Sequence, residues 1–209
     1  MRGVLFDLDG TLWDSAAGVS RAWSEVLEKH GFRERVDVPR MHGMMGKQMD
    51  EIAALLFPDC TGDGRTALMA ECCEREHEVL SQSGGELFPQ LEETLQRLKK
   101  RYFLAIISNC QRGYIETFLE YYGFEKYFDD TECFGATGLS KGKNIAALMR
   151  RNALDAAVYV GDTQGDLDAA NEAGVEFIHA AYGFGRTPEA RHELESLDGL
   201  PELLKKIGF

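Results

Sequence analysis

The chain opens on an unbroken apolar run, Val4-Leu5-Phe6, the pattern of a strand covered on both faces. The run stops at Asp7, Asp9 follows one residue later, and Gly10-Thr11 breaks the pattern, so two carboxylates sit where the strand ends. The period then changes. Val19, Trp23, Val26 and Leu27 recur at three- and four-residue steps, and His30-Gly31 marks the end of that helix. Residues 33–39 are charged and read as loop. A glycine-bearing loop over 41–47 leads into a helix carrying Ile52, Leu55 and Leu56. Residues 58–64 are a further break, 66–80 are helical, and 81–85 are a linker. No β-rich run occurs between 14 and 85, so this stretch reads as a helical insertion.

Strand–helix alternation resumes at Phe88. Leu91, Leu95 and Leu98 mark a helix, and residues 102–107 a buried strand that ends at Ser108-Asn109. A helix over 114–122 is closed by Gly123. A short strand over 132–134, a helix over 143–151 and a strand over 157–160 follow, the last ending at Gly161-Asp162. A helix over 167–173, a strand over 175–178 and a short helix over 199–207 complete the chain. This order predicts an α/β fold, a doubly wound parallel sheet of Rossmann-like type with an inserted small helical cap domain. The catalytic core comprises 1–14 and 86–209, and the cap 15–85.

With 209 residues, 44% of them hydrophobic, the chain can build a substantial core. Its 23 basic and 35 acidic residues give a net charge of −12, which argues against nucleic-acid or anionic-membrane surfaces as partners. A small anionic substrate then needs a local positive site or a metal ion. The five cysteines contain no C-x-x-C pair and resemble no disulfide framework, so free thiols in a reducing compartment are expected. No leader-like segment precedes the first strand and no apolar run spans a bilayer, so a soluble, cytoplasmic protein is expected.

Asp7 and Asp9, Ser108-Asn109, and Asp162 with Asp166 all follow strand ends, and Lys141 opens a helix. Each has a plain structural reading by itself: a turn for Asp-Gly, a helix cap for Ser108 or Asp162, a solvated surface for Lys141. Together they gather at the carboxyl edge of one sheet, where ligands bind. The chemistry they suit is phosphoryl transfer. A carboxylate can accept the phosphoryl group, and an oxygen-bound divalent cation offsets the negative charge. A hydroxyl, backbone N–H groups and a lysine hold the equatorial oxygens, while a second acid handles protons.

In order and spacing, Asp7-Leu8-Asp9-Gly10-Thr11, Ser108-Asn109, Lys141 and Gly161-Asp162-Thr163-Gln164-Gly165-Asp166 resemble the four motifs of the haloacid-dehalogenase-like superfamily. The insertion resembles that family's small helical cap, closest to its phosphoglycolate-phosphatase-like and β-phosphoglucomutase-like members. The resemblance implies Asp7 as nucleophile and Asp9 as general acid and base. Ser108, Asn109 and Lys141 would hold the transferring group, and Mg²⁺ would be held by Asp7, the Asp9 carbonyl oxygen and Asp162. Asp166 would orient the lysine or a metal-bound water. Many relatives carry Lys-Pro at the third motif, whereas here it is Lys141-Gly142-Lys143, which leaves Lys143 as an alternative. Asp9 argues against dehalogenase chemistry, whose enzymes lack the second acid.

The expected activity is a Mg²⁺-dependent phosphatase acting on a small phosphorylated metabolite, phosphoglycolate-like or a sugar phosphate. A sugar-phosphate mutase using the same aspartyl-phosphate is the alternative within the enzyme class. A phospho-accepting receiver-like signalling module is disfavoured by the Asp7–Asp9 order and by the long insertion, and a silent binding module by the filled motif positions. In the cap, Arg40, His42 and Lys47 are candidates to face the substrate. Arg112 and the 182–185 segment are candidates from the core.

Overall fold

The computed structural model describes residues 1–209. Strand β1 (Arg2–Phe6) and the two-residue β2 (Trp13–Asp14) precede four helices, α1 (Ala16–Lys29), α2 (Val38–His42), α3 (Met49–Leu56) and α4 (Asp63–Ser83). The chain returns through β3 (Glu86–Leu87), α5 (Leu91–Leu98), β4 (Phe103–Ser108), α6 (Tyr114–Tyr122) and β5 (Asp130–Cys133). It continues as α7 (Phe134–Thr137), α8 (Lys141–Arg151), β6 (Ala156–Gly161), α9 (Gln164–Ala173), β7 (Glu176–Ala180), β8 (His192–Leu194) and α10 (Leu200–Lys206). Six strands form one parallel sheet in the order β5-β4-β1-β6-β7-β8. The chain leaves β1 in one direction toward β4 and later in the other toward β6, so the switch in strand order lies at the end of β1. No helix is long and apolar enough to cross a membrane.

Side chains alternate across the sheet because the strand period is two. Val4, Phe6, Leu104, Ile106 and Val158 face one side, with residues of α5, α6 and α10; Leu5, Ala105, Ile107 and Tyr159 face the other, with α8 and α9. The first core holds 44 buried residues against 12, because it runs on through Leu12 and Trp13 into Val19, Trp23, Met69 and Leu80 of the cap helices. Cap and core therefore share one hydrophobic interior.

The helices match the expected pattern most closely where caps are explicit: Tyr114–Tyr122 ends at Gly123, which takes the left-handed conformation at φ 65°. Several features depart from expectation. Short strands stand on the core side of both crossings, Trp13 and Asp14 pairing antiparallel with Leu87 and Glu86. Helix α4 runs to Ser83, which shortens the second linker to Gly84-Gly85. Helix α2 spans the end of the segment read as loop and the start of the glycine-bearing loop; it is started by Asp37, whose side chain accepts from the Arg40 N–H at 2.8 Å, with Pro39 in the first turn. The strand expected over 132–134 occupies Asp130–Cys133, and the edge strand β8, His-Glu-Leu, has no apolar run to announce it.

Gly142 lies where α8 meets α9. A Cβ there would collide with Glu172 and lie 2.8 Å from the Ala169 carbonyl oxygen. Gly142→Ala is accordingly expected to lower stability by about 1–3 kcal/mol through overpacking, read as a shift in denaturant midpoint. An unchanged midpoint would show that α8 moves aside without cost.

Candidate active site

Asp7 extends β1 by one pairing, its N–H donating to the Val160 carbonyl at 2.9 Å. The chain then turns at once, the Leu12 N–H returning to the Leu8 carbonyl at 2.8 Å. Gly10 takes φ 81°, and a Cβ there would strike the Asp162 carboxylate, so only glycine lets this turn press against the loop after β6. Asp7, Asp162 and Asp166 are thereby brought together, fully buried, with one oxygen of each within 4.8 Å of the others. Lys141, at the start of α8, reaches into the group. Its Nζ donates to Asp7 Oδ1 at 2.9 Å and to Asp166 Oδ1 at 2.6 Å. Lys143 is exposed, because two residues along a helix turn its side chain well away. Of the two lysines considered for the third motif, Lys141 is the one in the site.

One lysine cannot balance three acids. Burial, then the charge of Asp166, push Asp7 well above the usual carboxylate range, with Lys141 opposing. Burial and Asp166 likewise push Asp162 up to about 7. Burial works against the Lys141 charge, but Asp166 and Asp7 outweigh it and hold that lysine well above its ordinary pKa. The oxygens are not equally free. Asp166 Oδ2 accepts from the Thr163 N–H at 2.9 Å and hydroxyl at 2.6 Å, and its Oδ1 is taken by Lys141. Asp162 Oδ2 accepts from the Phe184 and Gly185 N–H groups at 2.8 and 3.1 Å, while its Oδ1 is buried without a partner. An orphaned carboxylate oxygen in an all-oxygen, net-negative pocket fits a hard divalent cation such as Mg²⁺. Asp162 Oδ1 and the second oxygen of Asp7 are the oxygens left open, whereas both oxygens of Asp166 are taken, one of them by Lys141.

The Asp9 side chain points elsewhere. Its Oδ1 accepts from the Ser15 hydroxyl at 2.7 Å and the Tyr114 hydroxyl at 2.9 Å, and its carboxylate is not among the three that cluster. Burial raises Asp9 to about 6 against these hydrogen bonds, which leaves both protonation states accessible near neutral pH. Ser108 ends β4 buried, its Oγ accepting from the Cys110 N–H at 3.3 Å. Asn109 donates through Nδ2 to the Gly46 carbonyl of the cap at 2.8 Å, and its Oδ1 is unpartnered.

Between cap and core lies a cavity of about 30 Å³, lined by Asp9, Ser108 and Asn109 on one side and Trp23, Lys47 and Glu76 on the other. That is room for about one water. Lys47 lines this cavity and is exposed. His42 does not line it. Its Nε2 lies 2.9 Å from Asp14 Oδ2 and its ring stacks on Phe184 at 4.1 Å, which ties cap to core. Arg40 pairs with Glu34 at 3.4 Å, Arg112 is exposed, and the Tyr182 hydroxyl donates to the Thr11 carbonyl at 2.9 Å.

Sequence reasoning missed Glu76. It is buried on α4, accepting from Trp23 Nε1 at 2.7 Å and from Gln111 Nε2 at 2.6 Å. The available signal was its place on the stripe of Met69, Cys72, Val79 and Leu80, the buried face of α4. Burial pushes its carboxyl up to about 8, the hydrogen bond from Gln111 opposing and the charge of Asp9 adding. The folded state therefore binds a proton that the unfolded chain releases near its ordinary value of 4.5. The stability Glu76 contributes is complete below that value, falls as pH rises through about 8, and is constant above. Glu76→Gln cannot titrate. Its unfolding free energy relative to wild type is expected to rise between about pH 5 and about pH 9, whatever its offset; a flat difference in denaturant titrations would refute the burial argument.

The family model described as haloacid dehalogenase-like hydrolase matches residues 4–180. A phosphoglycolate phosphatase of Vibrio parahaemolyticus is 28% identical over 217 residues, covering 98% of this chain and 95% of the relative. Among solved structures, a haloacid dehalogenase-like hydrolase from Bacteroides fragilis superposes with a TM-score of 0.83 at 25% identity, covering 94% of this chain and 98% of that one. CbbY from Rhodobacter sphaeroides, solved with phosphate, superposes at 0.80 with 21% identity over 95% of each chain, a likeness of fold. The match runs from the first strand through β7 and takes in all four motif positions, so the chain belongs to the haloacid dehalogenase-like hydrolase family.

Proposed function

We propose that the protein is a Mg²⁺-dependent phosphatase that hydrolyses a small phosphorylated metabolite through an aspartyl-phosphate on Asp7. The observation that carries this reading is the Lys141 ammonium, 2.9 Å from Asp7 Oδ1 beside the partnerless Asp162 Oδ1. The phosphoglycolate phosphatase activity of relatives of nearly equal length supports it.

Asp7 is the nucleophile. Lys141 fixes one of its oxygens, which leaves the other to attack phosphorus and form the acyl phosphate as the bond to the leaving oxygen breaks. Asp9, aimed by Ser15 and Tyr114, gives its proton to that oxygen. It then takes a proton from the water that attacks the acyl phosphate, which returns Asp7 as carboxylate and releases phosphate. The Ser108 hydroxyl and Lys141 hold the equatorial oxygens during both transfers. Asp7, Asp162 and the Asp9 carbonyl would hold Mg²⁺, which when bound supplies positive charge against the acids and the phosphate.

Asp7→Asn is expected to lower phosphate release by at least about 10³-fold while keeping the fold, because an amide forms no acyl phosphate; near-normal release from folded protein would remove the mechanism. Chelation is expected to abolish turnover and Mg²⁺ to restore it, with Ca²⁺ a poor substitute because it accepts looser coordination. Full turnover under thorough chelation would exclude a required metal. Product analysis separates hydrolysis, which yields free phosphate, from a mutase, which yields an isomerised sugar phosphate.

A further inference from the structure

Tyr159 is fully buried on β6, three residues before Asp162, and takes no part in the proton or phosphoryl steps. Its side chain reaches across β1, which lies between β6 and β4, and its hydroxyl donates to the Ile107 carbonyl of β4 at 2.8 Å. Pairing of β4 with β1 stops one residue earlier, at Ile106 with Phe6, so the hydroxyl holds the backbone just past the end of that ladder. The Ile107 carbonyl and the Ser108 N–H belong to one planar peptide unit. A donor on that carbonyl therefore fixes the plane from which Ser108 departs. The same side chain meets Lys141, whose Nζ lies over the ring, 5.9 Å from its centre. Its hydroxyl is also 3.5 Å from Asp166 Oδ1, the oxygen to which Lys141 donates at 2.6 Å. The Ile107 carbonyl takes the phenolic proton, because 3.5 Å exceeds ordinary O–H···O reach. Burial holds the hydroxyl well above its ordinary pKa, so it remains a donor. Ile145 of α8 and Leu167 of α9 share the buried cluster that holds the ring in place.

We propose that Tyr159 is a positioning residue that sets the separation between the Ser108 hydroxyl and the Lys141 ammonium, the two side-chain groups that grip the transferring phosphoryl group. The inference rests on the phosphatase reading for the roles of Ser108 and Lys141. Ser108 ends β4 and Lys141 opens α8, and Tyr159, from β6, touches the backbone behind one and the ammonium of the other. Donors aimed at charge that develops in the transition state lose their effect steeply when misplaced. Loosening this brace therefore weakens the grip at phosphorus, which every ester shares, and leaves the leaving-group side untouched.

Tyr159→Phe keeps the ring and removes the donor, so the protein is expected to fold with a lowered denaturant midpoint. Its kcat/KM is expected to fall at least about tenfold, by a common factor for whichever of p-nitrophenyl phosphate, phosphoglycolate and glucose 6-phosphate the wild type turns over. Tyr127→Phe loses a hydroxyl bonded to Glu92 at 2.6 Å and serves as the control for destabilisation alone; it is expected to keep the wild-type kcat/KM. In a Ser108→Ala background the loss from Tyr159→Phe is expected to shrink by at least about threefold, as it does for coupled residues. Calorimetry with inorganic phosphate and Mg²⁺ reads the same grip without turnover, and Tyr159→Phe is expected to weaken that binding at least about fivefold. Wild-type kcat/KM in folded Tyr159→Phe would overturn the inference and leave the phosphatase reading standing. So would a loss that differs from ester to ester, or one undiminished by Ser108→Ala. If wild type hydrolyses no ester yet binds phosphate, and Tyr159→Phe weakens that binding, the positioning role stands and the phosphatase reading falls. If Tyr159→Phe leaves phosphate affinity unchanged, the positioning role falls whatever the turnover.

Discussion

The carboxyl edge of the sheet is organised by a charge imbalance. Asp7, Asp162 and Asp166 are buried within reach of one another, and Lys141 is the cation that meets them. Leaving two buried negative charges uncompensated is costly, so such a group holds protons, binds a cation, or both. The surrounding backbone is shaped to keep the group together in spite of that cost. Gly10 lets the first loop lie against Asp162, Thr163 caps α9 while holding Asp166, and the Phe184 and Gly185 N–H groups fix one oxygen of Asp162. Each fixed dipole then decides which carboxylate oxygen is left open.

Division of labour among the carboxylates follows from their partners and not from residue type. Asp166 is saturated by donors and serves as an anchor. Asp162 keeps one oxygen open. Asp9, only two residues from Asp7, is turned to two hydroxyls on the cap side and lies in a separate electrostatic environment. Adjacent acids on one turn thus acquire different proton affinities, which is the condition for one to attack while the other shuttles protons.

The central strands were legible in the sequence because strands buried on both faces must be apolar throughout, as in Val4-Leu5-Phe6 and in Leu104 to Ile107. The gathering of Asp7, Ser108 and Asp162 at the sheet edge was legible because each stands where such a run ends. The edge strand β8 and the ribbon strands were not, since two or three residues of mixed polarity carry no period. Choosing Lys141 over Lys143 required the start of α8, which only the structure fixes. Glu76 was hidden for another reason: an acid in a helix crowded with Glu71, Glu74 and Glu78 looks solvated until the indole and amide that hold it are brought in from α1 and from the loop after β4. Polar groups that function through burial are recognised by tertiary partners, which lie 53 and 35 residues away in the chain.

The two chain crossings into the cap are hydrogen-bonded to each other, Trp13 with Leu87 and Asp14 with Glu86, and the Trp13 ring is wedged against Phe118 at 5.1 Å and Tyr114 at 5.7 Å. A stretch inserted through paired strands is joined to the sheet at one place. Its ends also lie side by side, so its length and composition can change without pulling on either neighbour. A different insertion between Asp14 and Glu86 would leave Asp7, Asp162 and Asp166 with the partners they have now, whereas Asp9 would lose the Ser15 hydroxyl.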